Sequence, residues 1–254
     1  VFTHGFLTED HESNPVLGKE DLTRLRSLIN SISYAGQMSR PDVLSSLGAV
    51  ARCQSDTKGR ARSLHAARMI AAYLFTTQHY FFRLPIEFSD CKLSEMTMSL
   101  SAQYDSSLGN KGCVVDGREM EADPFARQGF ILNFYCGKRP VDKHDANLVA
   151  PRMLLRATSS LQPCVSLSTA EAELTCGTWA ARNVVGTSNV LRELYPQCQH
   201  FTPYMYGDNS AATSLGMNQS GLRNVRHLCL QRLWIRFATQ EGSVALRWIG
   251  TKQN

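Results

Sequence analysis

The sequence predicts a mixed α/β domain preceded by a small, mainly helical region. Apolar residues recur at helical spacing from about residue 19 to residue 75. After about residue 95, short strand-like runs alternate with helical segments instead. The polar connection between these two patterns places the predicted boundary between the helical region, residues 1–90, and the α/β domain, residues 91–254.

Three helices are predicted in the first region, after an extended lead-in at residues 1–19. The first helix spans about residues 19–37. The segment S-R-P-D at residues 39–42 ends it, because a residue before proline is driven out of the helical conformation. Pro41 then suits the first turn of the second helix. The third helix spans about residues 59–75, and residues 80–84 are predicted to form a strand.

Strands and helices alternate in the second region. Five strands are predicted, at residues 96–104, 129–135, 164–167, 202–206 and 243–249. A long helix should begin at a cap on Ser168 or Thr169 and run to about Leu194, with a helix-poor stretch at residues 184–188 that favours a kink. Shorter helices are predicted at residues 210–217 and 222–240. Residues 138–151 are predicted to be a loop.

Length and composition are those of an ordinary globular protein. The 254 residues are 43% hydrophobic and 19% charged. No apolar run approaches the roughly 18 residues of a transmembrane helix, and no leader typical of secretion follows Val1. The eight cysteines are scattered, with no C-x-x-C pair and no zinc-type spacing. These features predict a cytoplasmic or nuclear protein that is not secreted, has reduced thiols and does not enter a membrane.

The net charge of +5 is unevenly distributed. Arginine and lysine dominate residues 24–83 and again residues 222–254, whereas the middle of the chain is acidic. This pattern suits a polyanion held beside a metal-binding centre. It equally suits the solvated surfaces of helices.

Three acidic residues, Asp105, Glu173 and Asp208, lie where predicted strands end or helices begin. Carboxylates that a fold brings together are what hard divalent cations need. Each acid also has a local alternative. Glu173 suits the dipole at a helix start, Asp208 suits a helix N-cap, and Asp105 suits a turn. Asp116 competes with Asp105 as the first ligand.

Two glutamates lie at the start of the long predicted helix. Glu171 and Glu173 are two residues apart and therefore point to different faces. The face of Glu173 carries Cys176, Gly177 and Ala180, whose small side chains allow a helix to approach a sheet closely. We therefore assign Glu171 to the helix dipole and Glu173 to the candidate site.

A basic helix is the other candidate feature. His227 shares its predicted amphipathic helix with Arg223, Arg226 and Arg232. It is interpreted either as a phosphate contact or as a partly buried structural histidine. Apolar surroundings predict core positions for all three tryptophans, Trp179, Trp234 and Trp248.

Four motifs of the second region occur together, in the same order, in one protein family. Residues 161–174 read L-Q-P-C-V-S-L-S-T-A-E-A-E-L and resemble K-Q-P-x-V-A-L-S-S-T-E-A-E-Y. Residues 206–212, Y-G-D-N-S-A-A, resemble C-D-N-Q-S-A. Residues 103–110, Q-Y-D-S-S-L-G-N, resemble Y-S-D-S-S-F-G-N, and residues 225–228, V-R-H-L, resemble T-K-H-I. The chain thus resembles the RNase H domain of copia-type retrotransposon Pol polyproteins.

The helical region resembles the segment that leads into RNase H in the same family. Residues 26–42 contain R-S-L-I, a tyrosine and S-R-P-D, similar to Y-R-S-L-V-G-S-L-L-Y…T-R-P-D, and residues 73–80 are similar to Y-L-K-G-T-K-D-Y. The resemblance implies a reverse transcriptase thumb- or connection-like region at residues 1–90. It implies an RNase H-like domain at residues 91–254, truncated before a fourth acid expected beyond Asn254. The chain has no Y-x-D-D polymerase motif.

The resemblance also implies a fold and an activity. The fold is a five-stranded mixed sheet flanked by helices. The activity is two-metal hydrolysis of the RNA strand of RNA–DNA hybrids during reverse transcription. Asp105, Glu173 and Asp208 would bind two Mg²⁺ or Mn²⁺ ions, of which one would activate water and the other would stabilise the leaving 3′ oxygen.

Several partners follow from the same resemblance. The basic helices, with Arg223, Arg226, His227 and Arg232, would hold the hybrid through its phosphates and shape. The rest of the Pol polyprotein, with its polymerase palm upstream, would be the protein partner, in a cytoplasmic virus-like particle or the nucleus. Two alternatives stay open: a decayed or repurposed module that binds nucleic acid without cutting it, and a structural part of the polyprotein.

Overall fold

The chain forms two compact units, which we call the helical unit and the sheet unit. The helical unit consists mainly of residues 1–82, and the sheet unit mainly of residues 83–109, 124–157 and 161–254. The computed structural model describes residues 4–80, 92–108, 114–115, 118–119, 125–137, 153–218 and 230–250. The predicted domain boundary at residues 90/91 lies outside these ranges and stays a prediction.

The described residues of the helical unit form four α-helices: α1 (His4–Thr8), α2 (Lys19–Met38), α3 (Leu44–Ala51) and α4 (Ala61–Thr76). A 3-10 turn at Pro41–Val43 separates α2 from α3, so the predicted break at residues 39–42 is confirmed. The extended lead-in is wrong in part, because α1 lies within it. Of the strand predicted at residues 80–84, only Tyr80 is described, and it is not in a strand.

The core of the helical unit follows from one apolar stripe. On α2, Leu22, Leu25, Ile29 and Ile32 are buried. Their spacing of three and four residues places them on one helix face. This face packs in one cluster with apolar residues of α3 and α4, so helical periodicity alone predicts which side of α2 is covered.

Eight strands are present among the described residues: β1 (Thr97–Ser107), β2 (Val114–Val115), β3 (Arg118–Glu119), β4 (Phe125–Gly137), β5 (Met153–Val165), β6 (Gln199–His200), β7 (Tyr204–Gly207) and β8 (Ala245–Trp248). The main sheet has the order β5-β4-β1-β7-β8, and the short β6 also pairs with β1. β1 is antiparallel to β4 and parallel to β7, which is parallel to β8. The mixed five-stranded sheet implied by the resemblance is therefore confirmed, with β6 as a sixth strand. The pair β2–β3 forms a separate ladder.

Three helices accompany this sheet in the part of the chain that the structure describes: α5 (Thr169–Leu194), α6 (Ser210–Gly216) and α7 (Leu230–Gln240). They share one apolar core with alternate residues of the strands, such as Leu132, Met205 and Leu246. Ser168 caps α5 by accepting a hydrogen bond from the Glu171 N–H, as the sequence predicts. α5 continues through residues 184–188, so the predicted kink does not interrupt the helix.

The least accurate prediction in the sheet concerns β5. The strand begins at Met153, whereas the sequence predicts only residues 164–167. Pro163 lies inside it, and proline argues against a strand unless that strand is at the edge of a sheet. β5 is an edge strand in the order above, so only the tertiary position makes Pro163 acceptable. The loop predicted at residues 138–151 lies outside the described residues.

Two further properties concern the chain as described. Five cysteines form no disulfide among the described residues: Cys53, Cys136, Cys164, Cys176 and Cys198. Within the described ranges, no helix combines the length and the apolar character that crossing a membrane requires.

Candidate metal centre

Three carboxylates from three different elements meet at one end of the sheet. Asp105 lies near the end of β1, Glu173 near the start of α5, and Asp208 directly after β7. One carboxylate oxygen of each lies within 4.8 Å of the others. β1 and β7 are parallel neighbours, so the same edge of the sheet presents their carboxyl ends. The fold thus brings together the three acids that the sequence singles out.

Two glycines allow this convergence. The ring of Tyr104 on β1 lies against Gly177 of α5 and Gly207 of β7. A Cβ atom at Gly207 would lie 2.6 Å from Cζ and Oη of Tyr104, and one at Gly177 would lie 3.0 Å from Cε2. Any larger residue at Gly207 would force the strand or the ring to move. The close approach of α5 to the sheet, which its small residues predict, is confirmed.

Glu173 is the most buried of the three acids, with 4% of its surface exposed. Its Oε1 accepts a hydrogen bond of 2.9 Å from the N–H of Ser106. Its Oε2 is buried and has no hydrogen-bond partner among the described residues. Burial raises the pKa of Glu173 to about 8, and the Ser106 N–H opposes this rise. The charge of Asp105, a proton shared between the carboxyl groups of Asp105 and Glu173, and the charge of Asp208 add to it. The described residues therefore provide little to offset the negative charge of the ionised Glu173 carboxylate.

These properties fit a hard divalent cation. The donor set consists only of carboxylate oxygens, the ligands that Mg²⁺ and related ions prefer. The unpartnered Oε2 of Glu173 is a buried acceptor in need of a positive partner. A cation bound between the three acids would supply that charge, so the cluster is compatible with divalent metal binding.

The residue after Asp208 performs the role that local sequence rules assign to Asp208. The side chain of Asn209 accepts a hydrogen bond of 3.0 Å from the N–H of Ala212 and caps α6. The interpretation of Asp208 as an N-cap is therefore wrong. With Asn209 at the cap position, the carboxylate of Asp208 lies in the acidic cluster instead.

The exposed side chain of Trp248 forms a hydrogen bond with the backbone of Asp208. Its indole Nε1–H donates to the carbonyl oxygen of Asp208 at 2.9 Å, and 57% of the residue is exposed. The predicted core position of Trp248 is wrong, because β8 is an edge strand of the described sheet. Trp179 and Trp234 are partly buried and pack against the core as predicted.

Glu171 belongs to the helix start rather than to the acidic cluster. Its Oε2 accepts a hydrogen bond of 2.9 Å from the N–H of Leu167. Its own N–H donates to Oγ of Ser168 at 3.2 Å. Glu171 thus bonds to the cap residue Ser168 and to the residue before it, so its structural assignment is confirmed with more specific contacts than the helix dipole.

Sequence reasoning missed a buried polar network beside Glu173. Gln162 is only 2% exposed, and its Nε2 donates to the carbonyl of Ala172 and to Oγ of Ser106, at 2.6 and 3.2 Å. Its Oε1 accepts a hydrogen bond of 2.7 Å from Oγ of Ser166. The available signal was a glutamine within the L-Q-P-C-V run. That glutamine becomes informative only once β5 is known to include it.

The remaining candidates lie outside the description. Asp116 and the basic residues Arg223, Arg226 and His227 are not among the described residues. Arg232 belongs to α7, but its side chain is not described. Their predicted roles stay predictions.

Comparison with known proteins identifies a relative. No family model matches this chain. Over 96 residues, or 38% of its length, the chain is 29% identical to the retrovirus-related Pol polyprotein from transposon TNT 1-94 of Nicotiana tabacum. Over this stretch the chain is similar to a retrotransposon Pol polyprotein. The matched stretch covers 7% of the tobacco polyprotein, so the activities of such a whole polyprotein do not transfer with the match.

Solved structures with a similar fold are more distant in sequence. LC11-RNase H1 in complex with an RNA/DNA hybrid is 12% identical with a TM-score of 0.35, over 61% of this chain and 88% of that one. RNase H1 from the halophilic archaeon Halobacterium salinarum NRC-1 is 8% identical with a TM-score of 0.36, over 61% and 87%. Likeness at this distance carries no argument about function. The mixed five-stranded sheet rests on the strand order and pairing of this chain described above.

Proposed function

We propose that the chain is the RNase H part of a copia-type retrotransposon Pol polyprotein and cleaves the RNA strand of RNA–DNA hybrids. The observation that carries the proposal is the convergence of Asp105, Glu173 and Asp208 within 4.8 Å. A buried, unpaired carboxylate beside two others destabilises a fold unless a ligand compensates it. Metal-dependent hydrolysis accounts for retaining such an arrangement.

The carboxylates would hold two Mg²⁺ or Mn²⁺ ions, which when bound supply water activation and a counter-charge for the leaving oxygen. The residues of the chain orient this site. The Ser106 N–H holds Oε1 of Glu173, and Oε2 is left without a hydrogen-bond partner among the described residues. The Trp248 indole holds the backbone of Asp208. Such fixed positions limit the reorganisation needed when charge develops.

Access to the cluster is uneven, which suits a large substrate. Glu173 is buried, Asp208 is half-buried and Asp105 is exposed. A phosphodiester backbone could therefore approach from the side of Asp105 while Glu173 stays shielded from water. We assign the hybrid contacts to the basic residues Arg223, Arg226, His227 and Arg232, which would bind phosphates largely without sequence readout.

The helical unit is proposed to be the thumb- or connection-like segment that precedes RNase H, with residues 1–90 and 91–254 as the two domains. The partners would be the hybrid and the remainder of the polyprotein. The setting would be a cytoplasmic virus-like particle or the nucleus.

A hybrid-cleavage assay tests the proposal. The chain is incubated with a labelled RNA–DNA hybrid in Mg²⁺ or Mn²⁺, alongside Asp208→Asn. We expect cleavage of the RNA strand only, a loss of at least about 10³-fold in rate for the variant, and hybrid affinity in both proteins. Hybrid binding without cleavage by the unsubstituted chain in either metal would refute the enzyme and favour a nucleic-acid-binding module.

A further inference from the structure

The buried carboxamide of Gln162 joins three elements beside the carboxylate cluster. Gln162 lies on the edge strand β5 and is 2% exposed. One N–H group of Nε2 donates to the carbonyl of Ala172 in the first turn of α5. The other donates to the hydroxyl of Ser106 at the end of β1. A single side chain thus connects β5, α5 and β1.

The orientation of this amide is determined by its surroundings. Oε1 of Gln162 accepts from the hydroxyl of Ser166 at 2.7 Å, so Nε2 faces the two acceptors. The hydroxyl of Ser106 accepts from Gln162 and in turn donates to the carbonyl of Arg127 on β4 at 3.1 Å. Both donors and one acceptor site of the amide are therefore used. A buried network whose donors are all satisfied is rigid.

Two of the groups that Gln162 binds are linked to Glu173. Ala172, whose carbonyl Gln162 holds, directly precedes Glu173. Ser106, whose hydroxyl Gln162 holds, donates its backbone N–H to Oε1 of Glu173 at 2.9 Å. Gln162 therefore restrains the backbone that carries the carboxylate and the group that orients it, without touching the carboxylate itself.

We propose that Gln162 is a positioning residue that holds the Glu173 carboxylate in place for cation binding. This inference rests on the proposed function, because the cation is the one that the three acids would hold. Groups that orient a metal ligand through hydrogen bonds typically change metal affinity 10–100-fold when removed. Loss of the amide would also leave the Ala172 carbonyl and the Ser106 and Ser166 hydroxyls with one hydrogen bond fewer.

The test compares two amide-to-apolar variants of the whole chain. Gln162→Met removes the network at nearly constant volume. Asn183→Leu is the matched control, because Asn183 on α5 accepts from Arg156 of β5 at 2.7 Å and donates to the carbonyl of Trp179 at 2.8 Å. It likewise links β5 to α5, but it lies ten residues beyond Glu173, about 15 Å along the helix axis.

Mn²⁺ affinity is measured by titration calorimetry at fixed pH, with thermal unfolding in parallel. We expect Gln162→Met to bind Mn²⁺ about 10–100-fold more weakly, and Asn183→Leu to bind it within about 2-fold of the unsubstituted chain, although both lower Tm. A general loss of stability would move Tm in both variants and leave Mn²⁺ affinity unchanged. Ser166→Ala, which removes only the hydroxyl that orients the amide, should weaken Mn²⁺ binding several-fold and decides the matter if Gln162→Met does not fold.

The inference is overturned if Gln162→Met, or Ser166→Ala in its place, binds Mn²⁺ as the unsubstituted chain does. If the unsubstituted chain binds Mn²⁺ and cleaves no hybrid, the proposed activity fails and the affinity ratio still decides the role of Gln162. If the unsubstituted chain binds no Mn²⁺, both fail.

Discussion

The helical unit and the sheet unit each bury an ionisable side chain, and the charges around these two side chains are of opposite kinds. Arg40, in the helical unit, is 7% exposed, and Glu173, in the sheet unit, is 4% exposed. Arg40 has an opposite charge beside it. Glu173 has two like charges beside it. The two residues therefore show how the surroundings of a buried charge separate structural from functional positions.

The guanidinium of Arg40 forms hydrogen bonds with two residues and lies against an aromatic ring. It donates to both carboxylate oxygens of Asp42, at 3.0 and 2.8 Å. It also donates to the carbonyl and the hydroxyl of Thr77 just after α4, at 2.9 and 2.8 Å, and it lies over the ring of Tyr73. The hydrogen bond from Arg40 lowers the pKa of Asp42. The S-R-P-D motif is thus a clasp between the α2–α3 connection and the end of α4.

The carboxylate of Glu173 lacks such a partner. One oxygen accepts the Ser106 N–H, and the other is buried without a hydrogen bond among the described residues. Burial raises the pKa of Glu173, whereas pairing lowers the pKa of Asp42. A paired buried charge is consistent with a role in folding alone. An unpaired one among like charges costs stability and points to a ligand.

The largest expected effect separates two aspartates. Asp105→Asn should reduce hybrid cleavage at least about 10³-fold, because it removes a charge from the cluster. Asp42→Asn should reduce the folded fraction and leave the rate per folded molecule unchanged. Single-turnover cleavage, corrected for the folded fraction by circular dichroism, measures both. Equal losses in the two variants would break the comparison between the units.

The clasp itself should contribute mainly to stability. Arg40→Ala is expected to lower the free energy of unfolding by about 2–4 kcal/mol, because it leaves Asp42 and the end of α4 without their shared partner. Chemical denaturation measures this value. Arg24→Ala is the control, since Arg24 forms exposed pairs with Glu20 and Asp21 that contribute little. Two variants of equal stability would show that the Arg40 pair is no more than a surface contact.

Glu173→Gln should stabilise the metal-free protein while removing its activity. Because the folded pKa, about 8, lies above the ordinary value of 4.5, the folded state binds the proton more tightly than the unfolded state. The free energy of unfolding of the unsubstituted chain should therefore fall as pH rises from about 4.5 to 8. The variant lacks this loss, so we expect it to be more stable by about 4 kcal/mol at pH 8 and by little at pH 4.

Denaturation in a chelating buffer across this pH range measures the difference. Added Mg²⁺ should raise the stability of the unsubstituted chain and not that of Glu173→Gln, because a ligand stabilises only the state that binds it. A variant that is less stable than the unsubstituted chain at pH 8 without metal would show that the buried charge is compensated after all.

The smallest effect distinguishes two neighbouring residues. Asn209→Ala should lower the free energy of unfolding by about 1 kcal/mol, because it removes the cap of α6. Asn209→Asp should retain the cap and most of the stability. Thermal unfolding of the two variants tests this assignment, and a loss for Asn209→Ala as small as that for Asn209→Asp would show that the cap contributes nothing.

Structural features were predictable where they arise from interactions between residues that are close in sequence. The break before Pro41 follows from a clash between adjacent residues, and the Ser168 cap follows from unpaired N–H groups in the first turn of α5. Both are confirmed. The extent of β5 was not predictable, because whether a strand tolerates Pro163 depends on its place in the sheet. The Asp208 cap was wrong because Asn209, equally suited, occupies that position.

By itself the sequence determined most helices, most strands and the three acids, because periodicity, capping residues and motif spacing are properties of short segments. Only the tertiary structure decided that the acids lie within 4.8 Å of one another, since that distance depends on strand order and on two glycines against Tyr104. It also decided which buried charge has a partner. Pairing between residues distant in sequence leaves no pattern in a short segment. For that reason the hydrogen bonds of Gln162 beside Glu173 are recognised only in the folded chain.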